Sequence, residues 1–305
     1  MKVEKFKGLI AAPHTPMNAD GSVNLAVIEN QSALLVKNGL SGVYICGTTG
    51  EGTSLSLEER KQVAHRWLQV APSQLKVVVN VGHTCLDSCR LLAADAADAG
   101  AFAISAMPPY YYKPADADDL VDFYAGITSA APETPFYTYH TQTIPVPFSV
   151  YDFLTTASGR IPTLVGVKFN STDMADFIES INFDSQRYDI LFGVDECLLA
   201  SLACGARAAI GSTYNYSAPL YTRLIEAWNA GNLEAAQALQ LKSIQMVRVL
   251  CRYGTLAAGK AVMKLVGVDC GPVRAPLKQL TNQDFRNLSE QFYAIGFEEF
   301  CSLRV

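Results

Sequence analysis

Short apolar runs recur along the chain, each followed by a longer stretch in which apolar residues return with the period of a helix. The runs are "KGLIAAP" (7–13), "GVYICG" (42–47), "KVVVNVG" (76–82), "AFAISAMPP" (101–109), "TPFYTYH" (134–140), "LVGVKF" (164–169), "YDILFG" (188–193) and "ARAAIGST" (206–213). They are rich in Val, Ile, Ala and Phe, which predicts strands buried on both faces, as in a parallel sheet. Of the intervening stretches, 56–70 opens with "SLEER", an N-cap followed by acid in the first turn. Another, 85–99, has an alanine-rich face with Gly100 behind it as a stop signal.

Eight strand–helix units without a long polar linker predict an α/β fold, a closed (β/α)8 TIM barrel in preference to an open doubly wound sheet. A dinucleotide-binding sheet would also carry Gly-x-Gly-x-x-Gly after its first strand, and "AAPHTPMNADGS" does not have it. Beyond about residue 220 the patterns are helical only. The expected organisation is therefore one structural unit: a barrel core over 1–220, then the last barrel helix and an appended C-terminal helical segment over 221–305. "GTLAAGK" (254–260) fits the skeleton of a phosphate loop, but Ala261 stands where a magnesium-holding hydroxyl belongs, and a helical stretch precedes it.

Half of the 305 residues are hydrophobic and 17% are charged, so a sizeable core is expected and disorder is not. A net charge of −5 with no basic run excludes a nucleic-acid binder. The apolar run before Pro13 is too short for a signal-peptide core or a membrane span, which leads to an expected cytoplasmic location away from membranes. The eight cysteines are scattered without a C-x-x-C pair and read as free thiols. His83, Cys85 and Cys89 lie close together but lack a second ligand pair at zinc-site spacing, so no metal is expected.

A barrel builds its active site at the C-terminal ends of its strands. Here those ends carry "GTTGEG" (47–52), Tyr139-His140, Lys168, "GVDE" (193–196) and "GSTYN" (211–215). "GTTG" offers two hydroxyls and closely spaced N–H groups, either a carboxylate cradle or an ordinary turn. Tyr139 alone reads as a core aromatic, and Asp195 reads equally well as a cap on the following helix. Lys168 is different, because an ammonium among apolar neighbours is costly unless it is paired or gives up its proton. A surface lysine at a strand end, half of a buried pair and a neutral amine are the three readings. A neutral amine attacks carbonyls. With a phenol and a hydroxyl-rich cradle converging on it, that reading suggests Schiff-base chemistry on a 2-oxo acid, with the iminium as an electron sink for C–C bond making or breaking.

In combination, "GTTGEGTSLSLEER", "PPYYYKP" (108–114), Tyr139, "GVKF", "GVDE" and "GSTYN" carry a resemblance over essentially the whole length. The chain resembles the pyruvate-dependent class I aldolase family that contains dihydrodipicolinate synthase and N-acetylneuraminate lyase, and looks most like its sialic acid lyase branch. The resemblance implies that Lys168 forms the imine with pyruvate and that Tyr139 relays a proton, with Thr48 in the hydroxyl relay. Thr48 and Thr49 would hold the pyruvate carboxylate. Gly193, Asp195, Glu196 and Ser212 would hold the polyhydroxylated tail of a sialic acid, with Asn170 also in contact. Tyr111 matches an aromatic that neighbouring subunits exchange, which implies a homotetramer built as a dimer of dimers.

The reaction implied is reversible cleavage of N-acetylneuraminate to N-acetylmannosamine and pyruvate, without a cofactor. The alternatives are an aldolase or dehydratase for another 2-oxo sugar acid, and dihydrodipicolinate synthase. The synthase branch carries an arginine just after its catalytic-tyrosine strand, and "YHTQTIPVPFS" has none, which favours a neutral polyol tail. A non-catalytic barrel would be expected to lose the lysine or the tyrosine, and both are kept. Two departures mark the expected pocket: Thr141–Val146 replaces a short x-Ile/Val-Pro segment, and Asn170 stands where lyases commonly have Ser or Thr.

Overall fold

The computed structural model describes residues 4–303, so the outermost positions of the ranges above lie outside the described residues. The strands are β1 (Gly8–Ala11), β2 (Gly42–Ile45), β3 (Lys76–Asn80), β4 (Ala103–Ala106), β5 (Phe136–Thr141), β6 (Leu164–Asn170), β7 (Asp189–Phe192) and β8 (Ala208–Gly211). Each overlaps one of the apolar runs. They pair in parallel in chain order, and β8 closes onto β1 with Gly8 opposite Ala208, which makes the fold a (β/α)8 TIM barrel. The strands are shorter than the runs where the chemistry demands it. The fourth run ends in Pro108-Pro109, which has no N–H to give to a ladder.

Between the strands lie α1 (Val27–Lys37), α2 (Leu57–Val70), α3 (Leu86–Asp98), α4 (Ala117–Thr128), α5 (Val150–Ala157), α6 (Met174–Asn182) and α7 (Leu198–Ala203), with α8 (Tyr214–Asn229) after β8. The C-terminal helices are α9 (Leu233–Tyr253), α10 (Thr255–Leu265) and α11 (Asn282–Ala294). The start of α2 follows the sequence signal: Ser56 accepts from the Glu59 N–H while the Glu59 carboxylate accepts from the Ser56 N–H. Among the described residues, no helix is long and apolar enough to cross a membrane.

Side chains along each strand divide between two cores. Val43, Ile45, Val167 and Phe169 pack outward against the helices, and Ile10, Tyr44, Val78, Tyr137, Tyr139, Leu191 and Ile210 fill the barrel. At the N-terminal end the filling is capped by Phe6, which meets Phe102 edge-on at 5.3 Å. Asp189 Oδ2 accepts hydrogen bonds from the Phe6 N–H and the Tyr137 hydroxyl, both at 3.0 Å.

One irregularity decides where the lysine goes. Phe136 is opposite Leu164, yet Tyr137 is opposite Gly166, so β6 carries one extra residue at Val165. Because side chains alternate, an extra residue reverses which face every later residue takes. Val165 belongs to the barrel interior and Val167 to the outer core, so Lys168 turns inward, directly beside Tyr139 in register. Gly166 makes the crossing sterically feasible. A Cβ there would lie 2.2 Å from the Asp189 carbonyl oxygen and 2.6 Å from the Tyr137 ring. Gly166→Ala is therefore expected to lower stability by about 3 kcal/mol through overpacking. Urea unfolding measures this, and an unchanged midpoint would rule out so tight a crossing.

Candidate active site

Lys168 is only 5% exposed. Its ammonium nitrogen lies 4.0 Å from the centroid of the Tyr44 ring and 4.2 Å from that of Tyr139. Burial pushes its pKa below the ordinary lysine value, and the opposing charges of Tyr139 and Asp195 do not restore it. Tyr139 is shifted in the complementary sense. Burial alone would raise its hydroxyl, but the charge of Lys168 and hydrogen bonds with Thr48, Thr141 and Lys168 bring it below the usual phenol value. The amine and the phenol thus share a low-dielectric site in which a proton can sit on either group. Tyr139 Oη is 3.4 Å from Thr48 Oγ1, which extends the chain of exchangeable protons toward the mouth of the barrel. Tyr44, the second ring against the amine, is fixed by donating its hydroxyl to Ser105 Oγ at 3.0 Å.

Thr48 and Thr49 stand on the 47–52 loop after β2. The loop is tightly closed: the Gly52 N–H donates to the Gly47 carbonyl at 3.1 Å, and a Cβ on Gly52 would lie 1.9 Å from the Cys46 carbonyl oxygen. Its two ends take left-handed backbone at non-glycine residues, Cys46 with φ 56° and Glu51 with φ 53°. Asn80 Nδ2 donates to the Cys46 carbonyl at 2.9 Å, and Thr15 Oγ1 donates to the Gly50 carbonyl at 2.6 Å. His14 is buried beneath the loop against the Thr49 backbone. Burial and the nearby charge of Lys260 push its pKa down to about 3, leaving a neutral imidazole.

Asp195 departs from the helix-cap alternative. Its carboxylate makes no cap bond to the short helical turn it begins. Instead Oδ2 accepts from the Thr213 N–H at 3.0 Å and from Thr213 Oγ1 at 2.6 Å, bracing the loop after β7 against the one after β8. Gly211 leaves room for it, since a Cβ there would come within 2.0 Å of Oδ1. Burial raises the Asp195 carboxyl to about 6, against 3.8 for the free side chain.

These groups surround a cavity of about 370 Å³ at the barrel mouth. Every residue expected at the site apart from Tyr111 lines it: Thr48, Thr49, Tyr139, Lys168, Asn170, Gly193, Asp195, Glu196 and Ser212. Asn170 Oδ1 packs on the backbone of Gly193, where a Cβ would approach it to 2.8 Å. Tyr111 lies elsewhere, 77% exposed and edge-on to Tyr112 at 4.9 Å. Gln142, which donates to Ser171 Oγ at 3.3 Å, lines the cavity from the segment after β5 that the sequence marks as a departure in the pocket. Other lining residues carried no such mark. Leu250 of α9 and Leu256 of α10 cover one side, and helical periodicity alone does not say which face of a terminal helix meets a barrel mouth. Tyr44 carried no separate signal, because it sits within a run that is apolar on both faces.

The fold is that of a barrel enzyme, and its cavity at the strand ends contains a buried lysine–tyrosine pair. Residues 5–294 match the dihydrodipicolinate synthetase family, and the chain belongs to that family. It is 36% identical to the N-acetylneuraminate lyase of Rattus norvegicus over 99% of this chain and 96% of that protein. It is 39% identical to N-acetylneuraminate lyase A of Xenopus laevis, over 90% and 91% of the two chains. Among solved structures, the Proteus mirabilis N-acetylneuraminate lyase superposes with a TM-score of 0.95 at 43% identity, covering 96% of this chain and all of that one. The N-acetylneuraminate lyase (sialic acid aldolase) of Aliivibrio salmonicida gives 0.94 at 38% identity over 97% and 98% of the chains.

The raised Asp195 carboxyl has a thermodynamic consequence. The fold prefers its protonated form, so that contribution to stability is complete below pH 3.8 and is lost as pH rises through about 6. Relative to Asp195→Asn, the native protein is expected to lose about 3 kcal/mol of stability across this window. Urea unfolding of both proteins at pH 4 and pH 7 measures the difference. A gap that does not change with pH would contradict the assignment.

Proposed function

We propose that the protein is a Schiff-base class I aldolase that reversibly cleaves N-acetylneuraminate to N-acetylmannosamine and pyruvate. The observation that carries this reading is the in-register pair of Lys168 and Tyr139, an amine with depressed pKa beside a phenol at the mouth of a barrel. The neutral amine of Lys168 adds to the C2 carbonyl of the open-chain sugar acid, and loss of water gives an iminium. Tyr139 takes the proton of the C4 hydroxyl, with Thr48 relaying it. The C3–C4 bond breaks, its electron pair passes into the iminium to form an enamine, and the aldehyde N-acetylmannosamine leaves. Protonation of the enamine at C3 and hydrolysis of the imine then release pyruvate and regenerate the amine.

Thr48 and Thr49 hold the carboxylate of the 2-oxo acid. Asn170, Gly193, Asp195, Glu196 and Ser212 face the polyol tail, Asp195 through the carboxyl that also braces Thr213. The composition of the cavity favours this substrate over that of dihydrodipicolinate synthase. Among the described residues Lys168 is the only lysine or arginine lining the cavity, a composition without a second cation to clamp a further carboxylate. The assembly is a homotetramer, supported by the outward-facing Tyr110, Tyr111 and Tyr112, which are 38%, 77% and 85% exposed. The location is cytoplasmic, in keeping with cysteines scattered along the chain without a C-x-x-C pair.

Borohydride reduction in the presence of pyruvate is expected to add a lactyl-sized mass to the Lys168 peptide, and an unmodified peptide would sink the imine mechanism. N-acetylneuraminate should yield pyruvate in a coupled assay. Inactivity there with turnover of another 2-oxo sugar acid would transfer the assignment to that substrate. Tyr139→Phe should lower kcat by roughly 10²- to 10⁴-fold, the usual contribution of a positioned proton-transfer group, while the half-saturating pyruvate concentration changes little. Equal losses in both would argue against a relay.

A further inference from the structure

The carboxylate cradle is held from outside the barrel. Lys260 of α10 places Nζ 2.7 Å from Glu51 Oε1, with the two side chains 2% and 1% exposed. Among the described residues this is the only ion pair with both side chains fully buried. The second carboxylate oxygen of Glu51 accepts from the Arg274 N–H at 2.7 Å, and Lys260 Nζ donates further to the Pro272 carbonyl at 2.6 Å. Both oxygens of Glu51 are therefore engaged by the C-terminal segment. Arg274 also holds Glu59 in the first turn of α2, with Nη1 2.7 Å from Glu59 Oε2, so the chain leaving the loop is tied to the same segment.

Glu51 takes this role in left-handed backbone that glycine would adopt without strain. A glutamate there is explained by what its side chain reaches. The neighbour of Lys260 is adapted as well: a Cβ on Gly259 would lie 2.6 Å from His14 Nε2, the ring packed beneath Thr49. A buried ion pair gains little net stability once both groups are desolvated, whereas its geometry is specific. That balance fits a device for position better than one for stability. It also gives a role to "GTLAAGK", whose terminal lysine is Lys260 and whose resemblance to a phosphate loop is accidental.

We infer that Lys260 is a positioning residue: through its buried pair with Glu51 it fixes the 47–52 loop so that Thr48 and Thr49 meet the carboxylate of the 2-oxo acid. The inference rests on the aldolase reading above and deepens it, making the C-terminal helical segment part of the substrate-recognition machinery.

The test is borohydride trapping at Lys168, read by peptide mass, as a function of pyruvate and, separately, of acetaldehyde, which forms an imine but has no carboxylate. The variants are Lys260→Met and the double variant Lys260→Met/Glu51→Gln, in which no buried charge is left unpaired should the single variant fail to fold. The half-saturating pyruvate concentration is expected to rise roughly tenfold or more, the scale of loss from small misplacements of binding groups. Acetaldehyde trapping should stay near that of the native protein. A folded double variant that saturates with pyruvate as the native protein does would overturn the inference. Equal losses with pyruvate and acetaldehyde would overturn it too, by reducing the pair to a general structural role. Absence of trapping in the native protein is a separate result, which removes the imine reading itself.

Discussion

An amine at the centre of a closed barrel has no bulk water to stabilise it as a cation, and the rest of the site answers that constraint. Lys168 is surrounded by two tyrosine rings whose centroids lie within 4.2 Å of its nitrogen, and the carboxyl whose charge acts on it, Asp195, is itself pushed toward neutrality. The rings and the partial charge of Tyr139 offset part of the desolvation, but not enough to return the lysine to its ordinary basicity. The same low dielectric acts on the phenol in the opposite sense. Burial, which normally raises a tyrosine pKa, is outweighed there by the adjacent amine. One physical cause thus prepares the amine and the phenol for the roles proposed for them.

The arrangement depends on the closed sheet at two levels. Closure of β8 onto β1 excludes solvent from the interior, and the plug of Phe6, Phe102, Tyr137 and Asp189 seals the end away from the site. The extra residue at Val165 then reverses the alternation of β6, so that a lysine and not an aliphatic residue faces the tyrosine. The helices beyond the barrel complete the design. Leu250 and Leu256 wall the cavity, and Lys260 and Arg274 reach the end of the loop on which the threonines stand. Appended helices in this protein are therefore continuous with the site and not merely packed against the barrel.

Much of this was legible along the chain. Parallel strands buried on both faces leave uninterrupted apolar runs, so the eight strands and their order could be read directly. A lysine inside such a run is conspicuous for local reasons, and so is the capping box of Ser56 and Glu59. Asp195 was ambiguous because an acid after a strand suits a helix cap and a site residue equally well. Its bonds to Thr213 from the next unit, and not to the turn it begins, exclude the cap. Tyr44 was silent, since nothing near it in sequence distinguishes a ring against an amine from a core ring.

The sequence by itself determined the strand–helix alternation, the barrel that follows from it, and the strand end bearing a desolvated amine. These depend on the period and polarity of neighbouring residues. Tertiary structure decided which way Lys168 points, which ring lies beside it, and what holds the threonine loop. Each of these is a contact between segments distant in the chain: β5 with β6 across a register shift, Tyr44 with Lys168 across the barrel interior, Glu51 of the loop after β2 with Lys260 of α10. Such contacts are set when the sheet closes and the terminal helices pack, and no local pattern of residues encodes them.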